Sequence, residues 1–174
     1  MLLARSYPAA ARTGLAALVL TGLAGCAMDK ETKVRARLGN WLELGVTTYF
    51  KSTNTCTAAL FDGRFGPGMS MVQTVQSVQQ GMVLLAHDIP VRFDIEGQTP
   101  SAVLQAIKRV DNPRGRTLLA SEAAGHSCME ADLKQAYAQL SQSRNAVLII
   151  DPAENGVVVK DRQNQQVFFM RGAL

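Results

Sequence analysis

The chain has 174 residues, of which 47% are hydrophobic, and its 18 basic and 14 acidic residues give a formal net charge of +4. This composition is ordinary for a folded globular protein and excludes disorder of the whole chain. The excess of positive charge is small, and two of its contributors, Arg5 and Arg12, lie in an N-terminal segment with no acidic residue, so we expect no nucleic-acid partner.

The first 26 residues follow the order of a secretory signal. Arg5 and Arg12 supply positive charge, and residues 14–23 form an apolar stretch that contains no charged residue. Such a stretch matches the roughly 7–15 residues of a signal-peptide core and is shorter than the roughly 20 residues that span a bilayer. The stretch runs into Leu23-Ala24-Gly25-Cys26. This motif resembles the lipobox of bacterial lipoprotein precursors.

The resemblance implies that residues 1–25 are a removed signal peptide and that Cys26 carries a diacylglyceryl thioether and an acylated amine. Two or more acyl chains anchor a protein stably, where one gives only marginal binding. Ala27 follows the cysteine in place of the aspartate that retains many Gram-negative lipoproteins in the inner membrane. The expected location is therefore the inner leaflet of the outer membrane, facing the periplasm, with the lipid bilayer as a partner through Cys26. An ordinary signal peptide that ends near a cysteine is the alternative.

Residues 26–40 are charged and mixed in sign, which predicts a lipidated tether or a short first helix. Residues 41–174 are long enough for one globular domain. Between positions 46 and 60 the apolar residues alternate with threonines, and a polar turn at 51–54 divides the stretch. This pattern predicts a β-hairpin in which Val46, Phe50 and Cys56 share the apolar face.

A glycine-rich loop follows the hairpin. The residues that could bind an anion or a small ligand there are Gly63, Arg64, Gly66 and Gly68. Backbone amides at a helix N-terminus attract anions, but the spacing does not match a dinucleotide or P-loop fingerprint, and a plain turn is the alternative. Ser70 and Gln73 form a capping box that predicts a helix from residue 70 to about His87.

Alternation at residues 91–95 predicts a strand, and Thr99 followed by Pro100 predicts the start of a helix with Val110 on its buried face. The sequence Asp-Asn-Pro-Arg-Gly at 111–115 predicts a break, and residues 117–120 a short strand. A second capping box, Ser127 to Glu130, predicts another helix.

Three apolar runs at 146–150, 157–159 and 167–169 predict a three-stranded antiparallel meander. We therefore expect an α+β fold, with a mixed or mostly antiparallel sheet and about three helices packed on it. A parallel α/β core from residue 91 to 150 is the rival.

The sequence contains one candidate pair of catalytic residues. Cys128 would lie in the first turn of the last predicted helix, with His126 two residues earlier, which together would activate a thiol nucleophile. The oxidising compartment favours a structural disulfide between Cys56 and Cys128 instead. The two histidines have no metal-ligand spacing, and we expect neither a metal nor a cofactor.

The expected function is a non-catalytic binding or envelope-assembly role with an envelope protein as partner. A small envelope enzyme that uses Cys128 and His126 is the first alternative, and ligand binding at the Gly63–Gly68 loop is the second. An assembly role predicts an exposed apolar patch or an uncovered sheet edge.

Overall fold

The computed structural model describes residues 27–66 and 71–173. The lipobox, Gly68 and Ser70 lie outside these residues. In chain order, the helices and strands are α1 Glu31–Leu38, β1 Glu43–Ser52, β2 Cys56–Arg64, β3 Gln73–Val75, α2 Val78–Leu85, β4 Val91–Phe93, α3 Pro100–Val110, α4 Asn112–Ser127, α5 Ala131–Ser141, β5 Ala146–Asp151, β6 Gly156–Asp161 and β7 Gln166–Gly172.

The strands form one seven-stranded sheet in the order β1-β2-β7-β6-β5-β4-β3. Five neighbouring pairs are antiparallel, and β3 with β4 is the parallel pair. The expected α+β class and the meander of β5, β6 and β7 are therefore confirmed, and the rival parallel core is wrong. The described residues form five helices, where about three were expected.

The helix that sequence analysis missed is α4. The Asp111 side chain accepts a hydrogen bond from the backbone N–H of Arg114 at 3.1 Å, and Pro113 lies in the first turn. Proline fits the first turn of a helix, where its missing N–H has no intrahelical partner. The sequence at 111–115 thus ends α3 and starts α4, which continues through residues 117–120, so the predicted strand there is wrong.

The second predicted capping box is wrong, and Ser70 of the first box lies outside the described residues. Ser127 ends α4, and α5 begins at Ala131 with Glu130 as an N-cap that makes no side-chain cap bond. Gln73 begins β3, so the helix predicted from residue 70 is wrong at this position, and α2 starts at Val78, where the Ser77 side chain accepts from the backbone N–H of Gln80 at 3.3 Å. Pairing with β4 holds residues 73–75 as a strand, which overrides the local helical pattern.

The hairpin of β1 and β2 is present, but its faces differ from the prediction. Phe50 lies opposite Ala59, so an even-numbered residue of β1 shares a face with odd-numbered residues of β2. Phe50 therefore packs on the face opposite to that of Cys56, and Val46 is 69% exposed. Tyr49 packs on the same face of the sheet as Cys56, where Phe50 was expected.

The sheet is covered on both faces. Residues of α2, α3, α4 and α5 pack on one face, over Val157 and Val159 of β6. Val34 and Leu38 of α1 pack on the other face, over Val158. Because successive side chains of a strand point to opposite faces, β6 is buried along its whole length.

Candidate functional site

The two cysteines in the described part of the chain form a disulfide bond. Cys56 begins β2, Cys128 follows the last turn of α4, and their Cα atoms are 6.0 Å apart. Both are buried, and the Tyr49 hydroxyl donates a hydrogen bond to the backbone oxygen of Cys128 at 2.5 Å. Gly125 lets α4 approach β7, because a Cβ there would lie only 2.5 Å from the Cβ of Met170. The predicted Cys56–Cys128 pairing is confirmed.

This bond bears directly on the Cys128 and His126 hypothesis. The sulfur of Cys128 is bonded to that of Cys56, so in the oxidised protein Cys128 has no free thiol for His126 to activate. Cys128 also caps the C-terminal end of α4 and does not open a helix. A helix C-terminus carries partial negative charge and disfavours a thiolate, which reverses the expected activation.

A polar cluster that sequence analysis missed lies close to His126. The buried Tyr137 hydroxyl donates to a carboxylate oxygen of Glu122, and the rings of His126 and Tyr137 are 6.2 Å apart. Burial raises the pKa of Glu122, against the opposing effects of the Tyr137 hydrogen bond and the His126 charge. Glu122 and Tyr137 belong to α4 and α5, so their hydrogen bond fastens the two helices together.

Within residues 63–66, the part of the glycine loop that the structure describes, the polar groups have other partners. The Arg64 guanidinium makes two hydrogen bonds to the Glu43 carboxylate, at 2.7 and 2.8 Å. The Gly63 N–H donates to the backbone oxygen of Gln165 at 2.6 Å. Gly66 packs against Glu43, and the next helix begins only at Val78. Arg64 is therefore paired with Glu43, and the N-terminus of α2 lies well beyond the described part of the loop, so neither group faces an anion there.

A groove of about 400 Å³ opens beyond the C-terminal ends of β3 and β4. Its apolar lining is Val78, Ile95, Val103, Ala106 and Val110, and its polar lining is Gln76, Ser77, Gln79, Gln98 and Arg109. Val110 was predicted to be buried, but it ends α3 at this groove and is 52% exposed. The groove thus presents apolar side chains at the protein surface, with amides and one guanidinium around them.

A second feature lies where the chain enters the domain. The Met28 N–H donates to the backbone oxygen of Thr53 at 2.7 Å, in the turn between β1 and β2. The Asp29 carboxylate pairs with the Arg171 guanidinium of β7 at 3.3 Å. Attachment to the sheet therefore begins two residues after Cys26.

An ion-pair network extends from this attachment. Arg37 of α1 contacts Asp151 at 2.7 Å and Glu154 at 2.9 Å, and Glu154 also pairs with Arg171. Burial raises the pKa of Asp151, although the ion pair with Arg37 acts in the opposite direction. A cleft of about 530 Å³ lies beside these residues and is lined by charges of both signs. Because these charged side chains pair with one another, the cluster holds α1 against the sheet.

Within residues 27–66 and 71–173, no helix has the length and apolar character needed to cross a membrane. The same residues contain no group of three or more histidine, cysteine or carboxylate side chains placed to hold a metal ion. Comparisons of the chain with protein-family models, with curated proteins and with solved structures give no match.

Proposed function

We propose that this protein is a lipoprotein of the bacterial cell envelope that binds a partner protein without catalysis. Acylated Cys26 holds it in the inner leaflet of the outer membrane, facing the periplasm. The observation that carries the binding role is the groove beyond β3 and β4, which has half-exposed Val110 at the end of α3.

The composition of the groove supports a protein partner. Protein interfaces have an apolar centre surrounded by a polar rim, and charged residues are scarce at the centre. Here the charged residue of the lining is Arg109, and the other polar residues are three glutamines and a serine. The matching surface would insert an apolar side chain beside Val110 and bring a carboxylate to Arg109.

The long edge strand β1 is the less suitable binding surface. Its pairing with β2 is irregular between Leu44 and Thr47 and again between Thr47 and Tyr49. The Arg35 guanidinium also occupies the Gly45 backbone oxygen at 2.8 Å and the Thr47 hydroxyl at 2.7 Å. Bulges and charged side chains are the usual means by which edge strands avoid pairing with another chain. We therefore place the binding surface at the groove.

The test is site-specific photo-crosslinking in the producing cells. A photoreactive amino acid at Val110 is expected to yield one adduct of defined mass, while the same amino acid at Val83 serves as the matched control. Val83 is 63% exposed on α2, but it does not line the groove. Ala106→Arg fills the groove without touching the anchor and is expected to remove the Val110 adduct. Equal adducts at both positions, or none at Val110, would contradict the proposal.

A further inference from the structure

We propose that the turn between β1 and β2, residues 53–55, lies against the phospholipid headgroups of the membrane that holds Cys26. This orientation rests on the proposed lipid anchor. A polypeptide extends at most about 3.6 Å per residue, so Met28 lies within about 7 Å of the Cα atom of Cys26. The Met28 N–H donates to the Thr53 oxygen at 2.7 Å. The turn is therefore held within about 10 Å of the lipid-bearing residue.

The chain is hydrogen-bonded to the sheet from Met28 onward, so no flexible linker separates the anchor from the sheet. The Asp29 backbone N–H donates to the Ser52 hydroxyl at 2.9 Å, and its carboxylate accepts from the Thr57 hydroxyl at 2.6 Å. The carboxylate also pairs with Arg171, and its side chain is only 11% exposed. A flexible linker would let the domain move away from the bilayer. Here Asp29 joins β1, β2 and β7, so the whole sheet takes its orientation from the anchor.

The charge around the attachment suits an anionic lipid surface. Lys30, Lys33 and Lys51 are exposed and lie on the elements that meet at Asp29. The arginines of α1 are occupied by protein acceptors, and the turn residues Thr53, Asn54 and Thr55 carry no charge. The acids near this surface are Glu31, which is partly exposed, and Glu130, which is exposed and acts on Tyr49, so the three lysines still outnumber the acids. Each lysine near an anionic bilayer strengthens binding by about fivefold.

The test begins with the processed protein purified from membranes and reconstituted on the outside of vesicles of phosphatidylethanolamine and phosphatidylglycerol. A water-soluble amine-acylating reagent then measures the exposure of single lysines by mass spectrometry, with the released Cys26→Ser protein as reference. We expect Lys30 and Lys51 to lose reactivity on vesicles relative to the released protein, and Lys108 of α3 to react at an unchanged rate. Equal slowing of all three lysines, or slowing of Lys108 alone, would overturn the orientation.

A second measurement places a fluorophore in the turn itself. Asn54→Trp is compared with Gln163→Trp, which lies in the exposed turn between β6 and β7 at the other end of the strands. Lipids with a spin label on the headgroup should quench the added fluorescence at position 54 and leave that at position 163 unchanged. Equal quenching at both positions overturns the orientation alone if the mass of the N-terminal peptide shows that Cys26 is acylated. An unacylated Cys26 overturns the anchor and the orientation together.

Discussion

Removal of the Cys56–Cys128 disulfide is expected to destabilise the protein strongly. The bond closes a loop between residues separated by 72 positions. A crosslink of this span lowers the entropy of the unfolded chain enough to stabilise the fold by about 4 kcal/mol. Typical domains have a free energy of unfolding of about 5–15 kcal/mol, so this term is a large share of the total. Both cysteines are buried, and the replacement of their sulfur atoms by the smaller Cys56→Ala and Cys128→Ala side chains adds to the loss.

The assay is urea denaturation of the double alanine variant beside oxidised and reduced wild-type protein. We expect the reduced protein to lose about 4 kcal/mol and the variant slightly more, which corresponds to a fall in melting temperature of roughly 10–15 °C. The reduced wild type separates the effect of the crosslink from that of packing. A variant within about 1 kcal/mol of the oxidised protein would refute the loop-entropy argument. Rapid alkylation of both cysteines in folded, oxidised protein would refute the bond itself.

Three further outcomes are expected. Cys26→Ser should leave the domain folded but move it from the membrane fraction to the soluble fraction, unless it retains an uncleaved leader; detergent-phase partitioning equal to that of wild type after confirmed leader removal would contradict the lipid anchor. Gly115→Ala should lower the free energy of unfolding by about 3 kcal/mol in thermal denaturation, because its Cβ would lie 2.2 Å from the Lys108 Cα and force α3 and α4 apart; a neutral effect would show that the crossing yields easily. Burial raises the pKa of Glu122, so the wild type loses stability as pH rises from the ordinary carboxyl range through that higher pKa. Glu122→Gln keeps an acceptor for Tyr137 and should be more stable than wild type near pH 7 and equal to it near pH 4 in urea denaturation. A variant that is less stable than wild type near pH 7 would refute the predicted direction of this pH dependence.

The sequence predicted those elements whose signal is local. The meander strands contain continuous apolar runs because both of their faces are buried, and Asn155 adopts the positive φ of 50° that its turn with Gly156 requires. The start of α3 was equally clear, since the Thr99 hydroxyl accepts from the Ala102 N–H at 3.2 Å. Strong alternation, caps and turn residues act within a few positions and are therefore visible in one sequence.

Helix α4 was missed because its buried face is not apolar in the ordinary sense. Its buried residues have helical spacing, but only Leu118 is a large apolar residue, and the others are Gly115, Ser121 and Gly125. The Ser121 hydroxyl donates to the Asn155 backbone oxygen at 2.7 Å and accepts from the Gly172 N–H at 2.9 Å. The small residues at helical spacing were the available signal, but they indicate a closely packed helix face only when the position of the neighbouring strand is known.

The groove and the attachment network could not be predicted for a different reason. Asp29 and Arg171 lie near opposite ends of the sequence, and the groove combines the start of α2, residues 95–98 and the end of α3. No local sequence pattern distinguishes these residues from their neighbours. Such sites arise from the strand order, which local patterns do not specify.

The position of β7 has a consequence for the order in which the sheet can form. This strand lies between β2 and β6, although about 100 residues of chain separate it from β2. Until β7 is in place, the hairpin of β1 and β2 has no neighbour in the sheet, and β6, β5, β4 and β3 form a separate part of it. Pairings between such distant segments form slowly, because a long loop must close before any contact rewards it. The sheet is therefore completed only when β7 inserts between its two parts, which makes the last strand of the chain the one that joins them.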